Sequence, residues 1–229
     1  MGSMRTWKFS FGSRMLIGFL VAFEFAIAAL LFSLPILLGG SDHSFDWFIE
    51  AVAVVMLAFG LFFAFALLAM SRTRISLFPK ALDALVPDHH NRLLFPHFRA
   101  IRLPISEIRS VERRQEICRS FGLSTLRESL SLVTTSGERI GLFSNTQGPA
   151  SQLPLDEIAG AIASAAGVAV TDDGTVFSKA QGLYGAASSS WNEPPLAAAS
   201  ATKARQAVAR TVQITLALVY LTFIIRSCT

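Results

Sequence analysis

Hydrophobic and polar positions divide the chain into three regimes. Two long apolar runs come first. Residues 15–38 are interrupted only by Gly18, Glu24, Ser33 and Pro35, and residues 47–70 only by Glu50 and Gly60. A helix rises 1.5 Å per residue, so roughly 20 residues cross a hydrocarbon core. Both runs are long enough. Backbone groups inside a bilayer must pair within the segment, which makes helix the expected state. From residue 71 the apolar runs shorten and alternate with arginine. After residue 170 large apolar side chains thin out until a third apolar run at 212–225.

The first run resembles a secretory signal only at its basic start, Arg5, Lys8 and Arg14. Its length exceeds the roughly 7–15 apolar residues of such signals, and a second span follows at once. We expect a retained anchor. Flanking charge then sets an orientation. Residues 1–14 carry three bases and no acid, residues 39–46 carry Asp42 and Asp46 and no base, and Arg72, Arg74 and Lys80 follow the second run. The positive-inside rule places residues 1–14 and everything from 71 to 206 in the cytoplasm. A third helix over 207–227 would end outside, with Arg226 snorkelling to the headgroups.

Within 71–170 the pattern predicts a small α+β module. Residues 74–78, 92–95 and 98–103 read as short strands, with Pro96 between the last two. Residues 129–134 alternate with period two, which puts Leu130 and Leu132 on one face. Ser136-Gly137 supplies a turn, and 138–143 return with Ile140 and Leu142 on one face, the best hairpin in the chain. A helix follows: Pro154 suits its first turn, Asp156 and Glu157 its positive end, and Gly167 its stop. Ile158, Ala161, Ile162 and Ala165 make its apolar stripe. The stretch 113–126 matches no clean strand.

The run Arg102-Leu103-Pro104, followed by Glu107-Ile108 and Val111, resembles the leucine-proline and E-I-x-x-V pattern of bacterial PH-like domains. The resemblance covers roughly residues 74–168. It implies a strand, tight turn and strand at this point, with the Ser-Gly hairpin and the helix at 155–166 closing the module. It also implies a bacterial inner-membrane setting, because such domains often follow paired transmembrane helices. Scaffolding, with self-association or protein contacts, is the role it suggests.

The resulting division is 1–14 N-terminal segment, 15–38 first span, 39–46 outer loop, 47–70 second span, 71–170 PH-like module, 171–206 Ala/Ser-rich linker and 207–227 third span. Flexible coil is expected to about Pro195. The Ala-rich residues 196–210 can extend the third helix.

Composition fits this division. Only 16% of residues are charged, against about 25% in ordinary soluble domains. Two cysteines, Cys118 and Cys228, build no disulfide framework. Cys118 reads as a nonreactive thiol.

Candidate chemistry is sparse. Glu24 lies about 13–14 Å along the first helix from Met15, near mid-bilayer. An acid there costs a few kcal/mol and is a functional suspect. Packing or assembly within a helix bundle competes with proton or ion handling, and no Lys or Arg inside the other runs is placed to pair with it. Asp88, His89, His90 and His97 have zinc-ligand chemistry. They lack metal-site spacing, so a surface loop is expected and no metal or other cofactor. Residues 71–140 carry 12 bases and 7 acids. Arg72, Arg74, Arg109, Arg113, Arg114 and Arg119 are the candidates for facing lipid or a partner, each base near anionic lipid being worth roughly 1 kcal/mol. Interspersed acids and the lack of aromatic stacking disfavour nucleic acid.

No nucleotide, hydrolase or dinucleotide motif is present. The expected function is therefore a non-enzymatic membrane scaffold or accessory subunit, in contact with lipids and with another membrane protein or its own copies. A proton- or transport-coupled subunit using Glu24 is one rival. A lipid-processing enzyme with His89 and His90 near its pocket is another.

Overall fold

A computed structural model describes residues 4–37, 43–87, 97–120, 123–146, 153–178, 191, 194–210 and 213. The first described element is a strand. β1 (Arg5–Lys8) leads into α1 (Phe11–Leu37), and α2 (His43–Arg72) leads back into β2 (Arg74–Leu77). The stretches Phe11–Leu34 and Trp47–Arg72 have mean hydropathies of 2.5 and 2.8, and both are long and apolar enough to cross a membrane. Only 6% and 11% of their most apolar windows is buried, unlike the core helices of a globule. Residues 1–14, given no element by the sequence reading, contribute an edge strand at Arg5–Lys8. β1 pairs antiparallel with β2, Trp7 opposite Ile75 and Lys8 opposite Arg74.

β3 (Ala81–Pro87) and β4 (Phe98–Pro104) complete a sheet in the order β1-β2-β3-β4. A single 3-10 turn (Ile105–Glu107) then delivers the chain into the second sheet, ordered β7-β6-β5-β8. Here β5 (Ile108–Ser120) and β6 (Leu123–Thr134) form a long antiparallel ladder, and β7 (Arg139–Thr146) continues the meander. The hairpin at Ser136-Gly137 stands as its sequence indicates, Gly137 taking φ 85°. The expected strand at 92–95 lies outside the described residues.

Two further segments depart from the sequence reading. Residues 113–120 and 123–126 are strand, although they show no clean alternation. The reason is that β5 is buried on both faces: Val111 and Ile117 on one, Arg114 and Glu116 on the other. A polar face buried by charge pairing looks like a solvated run in one dimension. The linker also starts later than expected, because β8 (Val170–Ser178) runs parallel to β5. Asp172-Asp173-Gly174 carries a turn signal, yet it makes a bulge inside the strand. Gly174 has φ 73°, and its N–H donates to Asp172 Oδ1 at 2.9 Å. A positive φ is open to glycine without the Cβ clash other residues meet.

α3 (Leu155–Ala166) begins after Pro154 and stops at Gly167, whose φ of 68° is left-handed. Its buried stripe is Leu155, Ile158, Ala159, Ile162 and Ala163, rotated from the expected one: Ala161 is half-buried and Ala165 exposed. That stripe joins Ile75, Leu82, Val86, Ile101 and Leu103 of the first sheet and Val111, Leu130, Leu132 and Leu142 of the second in one core. The core does not end at the sheets. Phe9, Ile17 and Met70 belong to it, with Leu20, Val21, Phe63 and Leu67 packed alongside. The helix pair and the sheet module share one continuous apolar interior.

A final helix, α4 (198–210), follows the described part of the linker. The expected third span at 207–227 lies largely outside the described residues.

Candidate functional site

Three places carry polar groups in unusual settings. The first is the seam between α1 and α2. Glu24 is half-buried on the α1 face that also presents Ile17, Val21 and Ala28, and its Oε2 is enclosed without a hydrogen-bond partner among the described residues. Gly60 of α2 is buried beside it. A Cβ built on Gly60 would stand 3.4 Å from Glu24 Cβ and 3.5 Å from the Phe25 ring. The missing side chain is what lets the helices approach at the level of the acid, as small residues do between membrane helices.

The second is the buried polar face of the second sheet. Arg114 (2% exposed) and Glu116 (0%) lie two residues apart on β5, so they share a face. Arg114 Nε and Nη2 both donate to Glu116 Oε1, at 3.0 and 2.9 Å. Ser129 and Arg127 stand opposite them on β6, also buried. Trp191 covers the pair: its ring centroid lies 4.2 Å from the Arg114 guanidinium carbon and 5.5 Å from that of Arg139. Arg139 Nε in turn donates to Glu112 Oε2 at 2.8 Å. The segment after Trp191 is pinned to β8 as well. Leu196 N–H donates to Thr175 O at 2.7 Å, and Arg205 Nη2 donates to Thr175 Oγ1 at 2.8 Å. Sequence reasoning missed Trp191 entirely. The only available signal was an isolated large aromatic in an Ala/Ser-rich stretch.

Asp173, at the β8 bulge, belongs to this region. Burial pushes its carboxyl above the ordinary aspartate value and the neighbouring Glu112 carboxylate adds to that, while Arg139 and Arg114 pull the other way. The folded chain therefore holds this proton more tightly than the unfolded chain. The stabilising contribution is full below the unfolded aspartate value and is lost as pH rises through the folded one. We expect Asp173→Asn to gain stability relative to the native chain as pH rises through the acid range, levelling off above it. Denaturant unfolding at a series of pH values checks this, and a difference that is flat with pH would contradict it.

The third place is the collar where the helices leave the sheet. Ser10 Oγ caps α1 by accepting the Ser13 N–H at 3.0 Å. Phe9, between β1 and α1, is buried with its ring edge-on to Phe143, centroids 5.9 Å apart. At the other joint, Thr73 is buried and sends both its N–H and its Oγ1 to Ala69 O, at 3.0 and 2.7 Å. Around these joints stand Lys8, Arg72 and Arg74, all exposed. Arg72 lies over the Phe98 ring at 5.7 Å.

The arginine candidates thus separate. Arg72 and Arg74 are exposed at the collar, and Arg109 is exposed on β5. Arg113 is paired with Asp156 and Asp172. Arg114 is not surface-facing at all, because its charge is matched inside by Glu116. The Arg119 side chain, and likewise Asp88, His89, His90, Cys118 and Cys228, lie outside what is described. His97 is exposed. Among the described residues no group of three or more His, Cys, Asp and Glu is placed to hold a metal. A depression of about 440 Å³ at the β2–β3 turn is lined by Phe78, Lys80, Asp83 and Arg102. The exposed Arg102–Asp83 pair across it, at 3.6 Å, contributes little. No family model, curated protein or solved structure matches this chain.

Proposed function

We propose that this chain is an integral membrane scaffold or accessory subunit, non-enzymatic, that holds a PH-like module at the membrane surface for protein contacts and complex assembly. The observation that carries the reading is the shared core at the collar: α1 and α2 grow from neighbouring paired strands through short, buried joints. A contact made on the module is thereby communicated to the spans without a flexible hinge. The PH-like assignment is supported by two packed sheets closed by one amphipathic helix, and by the Leu-Pro turn between β4 and β5. Residues 207–227 complete a third span in this reading. Pairing of β1 with β2 favours an even number of crossings between them, and the bases at the collar favour the cytoplasmic side. The setting is a bacterial inner membrane, by resemblance to PH-like proteins.

The test is cross-linking of the tagged chain in intact membranes, followed by solubilisation and sizing. Discrete adducts, with its own copies or a defined partner, that depend on module surface residues are expected. A chain that stays a lone monomer in membranes overturns the reading.

A second reading, a proton- or transport-coupled subunit, is favoured by one observation: the enclosed, unpartnered Oε2 of Glu24. Under the scaffold reading, Glu24→Gln keeps shape and packing against Gly60, removes the charging penalty of a mid-span acid, and leaves the adducts intact. Abundance in the membrane is expected to stay level or rise. A variant that assembles normally yet abolishes a proton or solute flux supported by the native chain would decide for the second reading.

A further inference from the structure

We propose that Lys8 and Arg74, flanked by Arg72 and Phe98, form a binding site for the phosphate of an anionic phospholipid headgroup. Lys8 and Arg74 are direct cross-strand partners on β1 and β2, so their side chains rise side by side from one face of the sheet. Like charges in that position repel, and a fold keeps them together at a loss unless an anion lies between them. Among the described residues no carboxylate does so. Neither residue has an ion pair among the described residues. The acid nearest in register on that face, Asp83, sits opposite Ser76 and is engaged with Arg102.

The surroundings suit a lipid in particular. β1 ends two residues before α1 and β2 begins one residue after α2, so the pair lies at the level where both spans enter the bilayer. The next row toward the spans holds Arg72 over the Phe98 ring, with Pro87 opposite Phe98 in register. Half-buried Leu85 stands opposite Arg74. Basic heads beside apolar and aromatic surface match a headgroup phosphate with its acyl chains below. One turn into α1, Arg14 is a further base whose Nε is enclosed and has no hydrogen-bond partner among the described residues. This inference rests on the membrane reading above and adds the ligand class at its surface.

The whole chain in detergent micelles is titrated with phosphatidylglycerol, phosphatidylcholine or inorganic phosphate, with tryptophan emission as the readout. Phosphatidylglycerol is expected to bind, and phosphatidylcholine not. Lys8→Gln/Arg74→Gln is expected to weaken phosphatidylglycerol binding about 30-fold, the worth of two basic contacts near an anionic surface. Lys8→Arg/Arg74→Lys should retain it, and so should Arg109→Gln, which removes an exposed base elsewhere. Equal weakening by Arg109→Gln, or no weakening by the double variant, overturns the site. Inorganic phosphate matching phosphatidylglycerol overturns the lipid and assigns the pair to a free anion. Extraction of the native chain from membranes by alkaline carbonate would instead overturn the membrane reading itself, separately from any of these.

Discussion

Glu116→Ala is expected to destabilise the sheet module by about 3–5 kcal/mol, the range for removing one partner of a buried ion pair. The change strips Arg114 of both of its hydrogen bonds to the carboxylate and leaves a cation in a place that is 2% exposed. Trp191 still offers its ring face at 4.2 Å, worth about 2 kcal/mol for a desolvated pair, which offsets part of the loss. The companion experiment is Arg114→Met/Glu116→Leu, which removes both charges and keeps volume. Such replacements are neutral or stabilising by about 1–4 kcal/mol in general. A large single loss beside a small double one places the energy in the loss of the carboxylate opposite a buried cation rather than in a net gain from the pair. Urea unfolding of the whole chain in detergent, followed by tryptophan emission, measures both. A single loss below about 1 kcal/mol would mean that water reaches Arg114.

Trp7→Ala carries the second large effect, about 3–5 kcal/mol for truncating a buried tryptophan. Trp7 is 7% exposed, packs into the common core, and donates from Nε1 to Glu157 Oε1 of α3 at 2.9 Å. It is therefore the rivet between the edge strand before the first span and the helix that closes the module. Trp7→Phe separates the two contributions: it keeps most of the burial and loses the hydrogen bond, for about 1 kcal/mol. Hydrogen exchange at the β2 amides that bond to β1 provides a local readout. Protection there is expected to fall in Trp7→Ala, and unchanged protection would show that β1 stays paired without the Trp7 anchor.

Much of this architecture is legible in one dimension where burial is one-sided. The two spans, the Ser136-Gly137 hairpin and the helix between Pro154 and Gly167 all announce themselves by period or by punctuation. The failures share a cause. β1 is four residues long and takes its meaning from β2, which lies 66 residues further on by register (Lys8 to Arg74). β5 hides its strand character because Arg114 and Glu116 are buried as an ion pair, where the sequence shows only two charges. β8 hides behind an Asp-Gly signal that makes a bulge rather than a turn. In each case a partner distant in sequence overrides the local preference. The site was legible in the same uneven way. Glu24 stood out as an acid in an apolar run, but Gly60 beside it did not. Arg72 and Arg74 were visible as basic flanks, while Lys8 gained its role only once β1 was seen to pair with β2. Charge counting placed Arg114 on the surface, and burial placed it in the core.

The joint between strands and spans has a consequence for biosynthesis. β1 is made before both membrane helices and its partner β2 after them, so β1 must wait for the ribosome to finish the intervening hairpin. At about 5–20 residues per second that wait lasts several seconds. During it the strand has no sheet to join. Should the hairpin enter the bilayer with one crossing instead of two, β1 and β2 would be stranded on opposite sides and the four-stranded sheet could never close. On the membrane reading proposed above, completion of the sheet would depend on correct insertion, and a misinserted chain would be left as a three-stranded remnant with Trp7 unburied.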